Sequence, residues 1–461
     1  MQFSGALVGF LLASLLMFAR SGSAETLSSG GMTGVPIMVA PVALFHTLAS
    51  DFFARPDGTT YVQTGDIPAM WLRDSAAQTL PYVRLARYRP RLKALIRGVI
   101  ERDARNIAID PYANAFRIDY RIWERKWEVD SLAYPVVLAW AYDDAFHDRR
   151  IFTPAVHRAL ARIVATYDCE SRHAACSPYR VPAGSGPPGR GPAPAIGLVW
   201  SAFRASDDPT QFAYNIPDQM FATTALRDIA GLAQDGFQDG ALAARASTLA
   251  DSIAVAVNRY GVVHDAGCGG TVYAYEIDGA GAAVTYDDAN LPSLLAAPLT
   301  GFLSLEDPIY RRTRACLLTS NDRYYFQGRV AAGIGSPHTP HGYVWPLALM
   351  SRALTSTDRR EVLQQLQFLA DSAGPGERIH ESFDPDEPSR FTRAEFGWAN
   401  AMYAELLFRA AADLPAQPLV ARSYPRGQKA WPSIAVVDAP TALANRAALF
   451  LAFDRAVPYH R

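Results

Sequence analysis

The chain has 461 residues, 49% of them hydrophobic and 19% charged, with a formal net charge of −1. That length holds one large domain or two to three ordinary ones, and the composition excludes a largely disordered chain. A charge near zero removes the electrostatic case for a nucleic-acid or anionic-membrane partner.

In chain order, the first predicted element is an export signal. Residues 6–19 form an apolar run too short to cross a bilayer comfortably. Small residues follow in Ser21-Gly22-Ser23-Ala24, so residues 1–24 read as a signal peptide cleaved after Ala24. The product would be periplasmic or secreted. No Lys or Arg precedes the run, so a retained membrane anchor is the alternative. No later stretch is expected to span a membrane.

Apolar residues at three- and four-residue spacing then predict helices over Pro41–Ala54, Trp71–Ala86, Pro90–Ile107, Ile122–Phe146 and Thr153–Tyr167. The same spacing recurs over Pro209–Ala233, Gly240–Tyr260, Pro340–Ala353, Arg359–Ser372 and Phe391–Ala411. Strand-like alternation is confined to short pieces near Thr271–Glu276. Val181–Ala195, dense in Pro and Gly, is a loop. The tail from about Asp413 is Pro-interrupted and reads as an extension that wraps the core, with one short helix at Thr441–Arg455. About a dozen helices separated by polar loops predict an all-α fold. Helix pairs closed in a ring would gather their loops at one end, but periodicity alone does not separate a helical toroid from an open solenoid. Four cysteines, Cys169, Cys176, Cys268 and Cys316, permit disulfides in an exported chain, and Cys169–Cys176 could close a small loop; free buried thiols are the competing expectation. No CxxC or His-rich cluster points to a metal, and no cofactor is expected.

The chemistry concentrates in clusters of acids, Arg and aromatics. Thr64-Gly65-Asp66-Ile67-Pro68-Ala69-Met70-Trp71-Leu72-Arg73-Asp74-Ser75 places two carboxylates, a guanidinium and an indole where a loop becomes a helix. Such groups hydrogen-bond vicinal hydroxyls and stack on a sugar face. Lys126-Trp127-Glu128-Val129-Asp130-Ser131 and Ser201-Ala202-Phe203-Arg204-Ala205-Ser206-Asp207-Asp208 repeat the combination. Asp287-Asp288 and Glu381 add further acids. Any one carboxylate is more ordinarily a helix cap or a solvated charge. Five clusters together favour a carbohydrate site. Glycoside hydrolysis needs one carboxyl to protonate the leaving oxygen and another to activate water or attack the anomeric carbon. Adjacent acids such as Asp207 and Asp208 raise one another's proton affinity, as a general acid requires. Glu381, in a loop beside His380, suits a base. Trp345 and Trp398 divide evenly between stacking platforms and core.

The segments Gly65–Ser75, Trp127-Glu128-Val129-Asp130-Ser131, Phe203–Asp208, Asp287-Asp288-Ala289-Asn290-Leu291-Pro292-Ser293, His341-Gly342-Tyr343-Val344-Trp345-Pro346 and His380-Glu381-Ser382 resemble, in order, those of glycoside hydrolase family 125. The resemblance runs from about Asp66 to Leu407. It implies a single (α/α)6 barrel over residues 25–412 and a metal-independent, inverting exo-α-1,6-mannosidase acting on a mannose-containing glycan, expected as a monomer. Carried over by position, the acid is Asp208 or Asp207, with Asp208 favoured, and the base is Glu381. Asp66, Trp71, Arg73, Asp74, Trp127, Glu128, Asp130, Arg204, Asp287, Asp288, Asn290, His341, Trp345 and Trp398 are the substrate-binding set it implies. Ala205 and Glu395 depart from the pattern, the former where Pro is common and the latter where an aromatic is expected. An α-glucosidase of the same fold and a non-catalytic exported sugar-binding protein are the alternatives.

Overall fold

The computed structural model describes residues 46–183, 193–374 and 378–411. The expected signal segment, the first part of Pro41–Ala54, most of the Val181–Ala195 loop and the extension from Asp413 lie outside these residues.

Ten helices longer than one turn carry most of the described fold: α1 (Leu72–Leu85), α2 (Pro90–Ile109), α3 (Val129–Phe146), α4 (Pro154–Glu170), α5 (Ile216–Gly231), α6 (Gly240–Tyr260), α7 (Pro308–Leu317), α8 (Pro346–Leu354), α9 (Arg359–Ser372) and α10 (Gly397–Ala411). They fall into two populations. In α5, 13 of 16 residues are buried, and α1, α3 and α8 are similarly sheathed. In α6 only 7 of 21 are buried, and α9 is likewise half bare. A helix buried on all faces is an inner element, whereas one with a single buried stripe covers it from outside. The contacts agree: α1 packs on α3, α3 on α5, α10 on α1 and α8 on α10, while α2, α4 and α6 lean on one another outside. The 3-10 turn Ala297–Thr300, fully buried, packs against α5 where another inner helix would sit.

Outer helices carry the caps their sequences advertise. Thr153, Asp239, Asp307 and Asp358 each accept a hydrogen bond from a backbone N–H of the first turn. Helix α6 is long and apolar enough by composition to cross a membrane, contrary to the expectation that no later stretch would be. Its apolar residues Leu242, Ala246, Ala250, Ile253 and Val257 are buried, and it packs against α5.

Most predicted helices exist, but their starts move. The helix expected from Ile122 begins at Val129, preceded by a strand at Ile122–Glu124; those expected from Pro209, Pro340 and Phe391 begin at Ile216, Pro346 and Gly397. Residues 46–51 are helical, and the rest of Pro41–Ala54 that is described is the strand Phe52–Ala54. Helix α7 has no counterpart among the predicted ones. Strands are also more widespread than Thr271–Glu276: among the described residues six small antiparallel sheets of two or three strands stand between the helices. In each shifted case residues before the helix are extended and paired, as Tyr214–Asn215 is with Glu276–Ile277 and Phe391–Thr392 with Ser382–Phe383.

All four cysteines are paired, Cys169 with Cys176 and Cys268 with Cys316. The second bridge spans 48 residues and the first only 7. Chain-entropy arguments assign about 4 kcal/mol to the longer closure and about 2 kcal/mol to the shorter. The Cys268→Ser/Cys316→Ser double variant is therefore expected to lower the thermal midpoint more than Cys169→Ser/Cys176→Ser, as calorimetry of both would read.

Candidate active site

The N-terminal ends of inner helices meet at one pocket. It encloses about 520 Å³ of empty space, part of it open to solvent. Trp71 and Trp345, which precede α1 and α8, and Phe396, just ahead of α10, supply apolar walls. Trp71 and Trp345 stand at N-cap positions, as does Glu128 before α3, and none of the three caps its helix with its side chain. Their side chains serve the site instead.

Arg73, 2% exposed, is the electrostatic centre. Its Nη1 donates to Glu128 Oε2 at 2.8 Å and Asp130 Oδ2 at 3.2 Å, its Nη2 to Asp207 Oδ1 at 3.0 Å, and its Nε lies 3.5 Å from Asp74. Four acids around one cation do not all ionise in a desolvated site. Burial pushes Asp74 and Asp130 up to about 6 despite Arg73. Burial and the Asp207 charge raise Glu128 well above the carboxylate range. Burial acts on Asp207 in the same direction, but Arg73, a hydrogen bond from Glu128, Lys126 and His338 outweigh it and hold Asp207 well below its ordinary value.

Asp207 sits in a tight loop. Its own N–H donates to Arg204 O, Arg204 N–H donates to Asp208 O, and Phe203 bridges to Pro209. The Asp207 backbone is left-handed at φ 66°, a conformation Asp tolerates better than most residues. This turn sends the two neighbouring acids different ways. Asp207 lines the pocket, while Asp208 pairs at 3.3 Å with Nδ1 of His338. Burial would lower the His338 pKa, but Asp208 and the charges of Asp207 and Glu381 lift it to about 9.

Glu381 lines the same pocket from the edge of the strand Ser382–Phe383, its N–H bonded to Thr392 O. Arg393 spans the rim. It donates from Nε to Asp66 at 2.8 Å and from Nη2 to Thr64 O at 2.6 Å, lies 3.5 Å from Glu381 Oε1, and covers the Phe396 ring. Gly65 makes this closure possible. Its φ is +56°, and a Cβ there would lie 2.3 Å from Glu395 O. Glu395 itself turns away from the pocket to pair with His46 and Arg378.

The expected binding set therefore divides. Trp71, Arg73, Asp74, Asn290, Trp345, Asp207 and Glu381 line the pocket, and Asp66 borders it through Arg393. Glu128 and Asp130, both fully buried, lie behind Arg73, so they hold the guanidinium and not a ligand. Arg204 is spent on Glu276 and Tyr286, and Asp288 accepts from Ser206; with Asn290, which donates to Ala205 O, they brace the Asp207 loop. Asp287 caps the backbone N–H groups of Leu294 and Leu295. Trp127 and Trp398 are core, the former donating to Trp200 O and the latter packed edge-on against Tyr134. His341 is exposed and rests on Phe326. Asn114, His338 and Arg393 join the site from outside the expected set. His338 stands only three positions from His341, and Asn114 lies in a segment without a motif. Among the described residues no group of three or more His, Cys, Asp or Glu side chains could hold a metal ion.

Residues 39–408 match the family described as metal-independent alpha-mannosidase (GH125). The meiotically up-regulated gene 157 protein of Schizosaccharomyces pombe is 36% identical over 389 residues, 76% of each chain. A Streptococcus pneumoniae metal-independent alpha mannosidase, solved as a non-productive complex with alpha-1,6-mannobiose, superposes with a TM-score of 0.79 at 34% identity, covering 89% of this chain and all of that one. Glucoamylase from Saccharomycopsis fibuligera superposes with a TM-score of 0.60 at 12% identity, over 85% of this chain and 98% of that one, a likeness of fold alone.

The pairing of His338 is directly measurable. Its imidazole resonances should titrate near pH 9, and Asp208→Asn should bring the midpoint down towards 6.5. A wild-type midpoint at 6.5 would contradict the described contact.

Proposed function

The chain belongs to the metal-independent alpha-mannosidase family GH125, and from that membership we propose that it removes terminal, non-reducing α-1,6-linked mannose with inversion of anomeric configuration. The observation that carries the assignment of roles is the pocket itself: Asp207 and Glu381, distant in sequence, line the same cavity together with Trp71, Trp345 and Phe396. A pocket rather than an open groove suits an exo-acting enzyme. Its aromatic walls suit the apolar face of a hexose, and Asp74, Asn290 and Arg393 are placed to take its hydroxyls. Among the described residues Trp71 Nε1 is buried without an acceptor, leaving an N–H for a sugar oxygen.

Asp207, rather than the favoured Asp208, is our candidate acid, because Asp208 is engaged with His338 beside the pocket. In the proposed single displacement, the Asp207 O–H breaks as its proton passes to the glycosidic oxygen and the C1–O bond opens. Glu381 takes a proton from the water that bonds to C1 from the other face. Such a water needs about 6.5–9.5 Å between the two carboxyl groups. Arg73, Asn114 and Glu128 fix the acid, and Arg393 fixes the base.

We further propose that the inner and outer helices form six pairs closed in an (α/α)6 toroid, with Ala297–Thr300 as the shortened inner member of one pair. The glucoamylase likeness supports this arrangement. The two disulfides support export of the chain after cleavage near Ala24.

Asp207→Asn and Glu381→Gln should each lower kcat on α-1,6-mannobiose by roughly 10²–10⁴-fold, the usual worth of a general acid or base, while sugar binding persists. Asp208→Asn should cost far less. Full activity of both the Asp207 and Glu381 variants would overturn the catalytic assignment; loss confined to Asp208→Asn would move the acid by one residue.

A further inference from the structure

Glu128 carries no pocket surface, yet it is tied to the candidate acid through two shared donors. Arg73 donates to Glu128 Oε2 and to Asp207 Oδ1, and Asn114 Nδ2 lies 3.2 Å from Glu128 Oε1 and 3.3 Å from the same Asp207 oxygen. The same two donors therefore hold the two carboxyl groups side by side, and the charge of Asp207 acts directly on Glu128. Two carboxyl groups held side by side out of water by one guanidinium and one amide do not both stay charged. Asp207 is 18% exposed at its side chain and Glu128 is not exposed at all, so one member of the pair faces the pocket and the other is sealed behind it.

We propose that Glu128 is a positioning residue that shares a single proton with Asp207 and so keeps the acid loaded at neutral pH. The inference rests on Asp207 being the acid. In the free site burial leaves the proton on the Glu128 side. A sugar ring that covers Asp207 strips its water, and the proton crosses to Asp207. After rotation of that carboxyl, the O–H breaks in favour of the glycosidic oxygen. Donation leaves two adjacent carboxylates against one guanidinium, which is why the pair gives up its last proton reluctantly. Exchange with solvent restores the proton after the product leaves.

The surrounding charges set this balance. On the cationic side are Arg73 from α1, Lys126 from the segment before α3, and His338 from the loop ahead of α8. On the anionic side are Asp74 from α1, Asp130 from α3 and Glu124, which pairs with Lys126. Asp208 and Glu381 act on the pair through His338, and Asp218 from α5 acts through Asp130. Ser131 completes the cage by donating to Glu128 Oε2 at 2.8 Å.

The test compares the pH dependence of kcat/KM for three proteins, each with its thermal melt. In Glu128→Gln the like-charged neighbour is gone, so the basic limb should move down by more than about one pH unit. At pH values above both midpoints, activity on α-1,6-mannobiose should fall at least about tenfold, because there the protonated fraction drops about tenfold for every pH unit the limb moves down. Activity on 2,4-dinitrophenyl α-mannoside, whose leaving group needs no proton, should stay within a few fold. Ser131→Ala removes a donor to the Glu128 carboxylate and should move the limb the opposite way, to higher pH; it also serves if Glu128→Gln does not fold. An unmoved limb in the folded variants, or an equal loss on both substrates, would overturn the shared proton while leaving Asp207 as the acid. Full activity of Asp207→Asn would instead remove the reading on which the inference rests.

Discussion

A single buried guanidinium organises this protein. Arg73 faces Asp74 on its own helix, Glu128 and Asp130 at the start of α3, and Asp207 on a loop before α5. Taking these groups out of water is costly, and only their mutual attraction and hydrogen bonds compensate. The arrangement is therefore a stringent constraint. Removing the cation would leave the buried acids with no counter-charge, and moving any acid would leave part of the guanidinium unpaired. The loops at the mouth inherit their positions from that arrangement, because they carry the partners Arg73 requires. The same constraint divides the proton affinities: the acid closest to the pocket is held charged and the one behind it neutral.

The helix ends explain why the site lies where it does. Inner helices begin at the pocket, and their first turns bear Asp74, Asp130 and Asp218, where unsatisfied N–H groups and the helix dipole favour acids. Helices α4, α6, α7 and α9 begin with side-chain caps, whereas three inner ones begin with Trp71, Glu128 and Trp345, whose side chains leave the cap unmade. Local helix stability yields to the site at those positions, as is common where function and folding compete.

That competition also explains what was legible in the sequence. The helices themselves are visible because inner and outer faces both keep apolar residues at helical spacing. Their starts at Ile122, Pro209, Pro340 and Phe391 are misplaced because the pocket segments ahead of them carry the same apolar residues in extended form; α7, with only four buried positions, gives a weak signal. Clusters of acids and aromatics locate the correct loops, yet residue type does not say which way a side chain turns. Trp345 lines the pocket and Trp398 packs in the core, although both are Trp at the start of a helix. Asp207 and Asp208 are adjacent and identical in kind, and only a left-handed backbone angle separates their surroundings. Asn114 and Arg393 act across long sequence distances, on Asp207 and on Asp66, so nothing local marks them.

The two carboxyl groups of the proposed active site are chemically unlike: Asp207 shares a proton with Glu128 behind it, and Glu381, steadied by Arg393, takes a proton from water. That division of roles fixes the stereochemistry of the product. Proton NMR of the first mannose released from α-1,6-mannobiose, recorded before mutarotation, tests it most directly. The β-anomer is predicted. Initial release of the α-anomer would mean retention, two carboxyl groups only about 5 Å apart, and a different division of labour between Asp207 and Glu381.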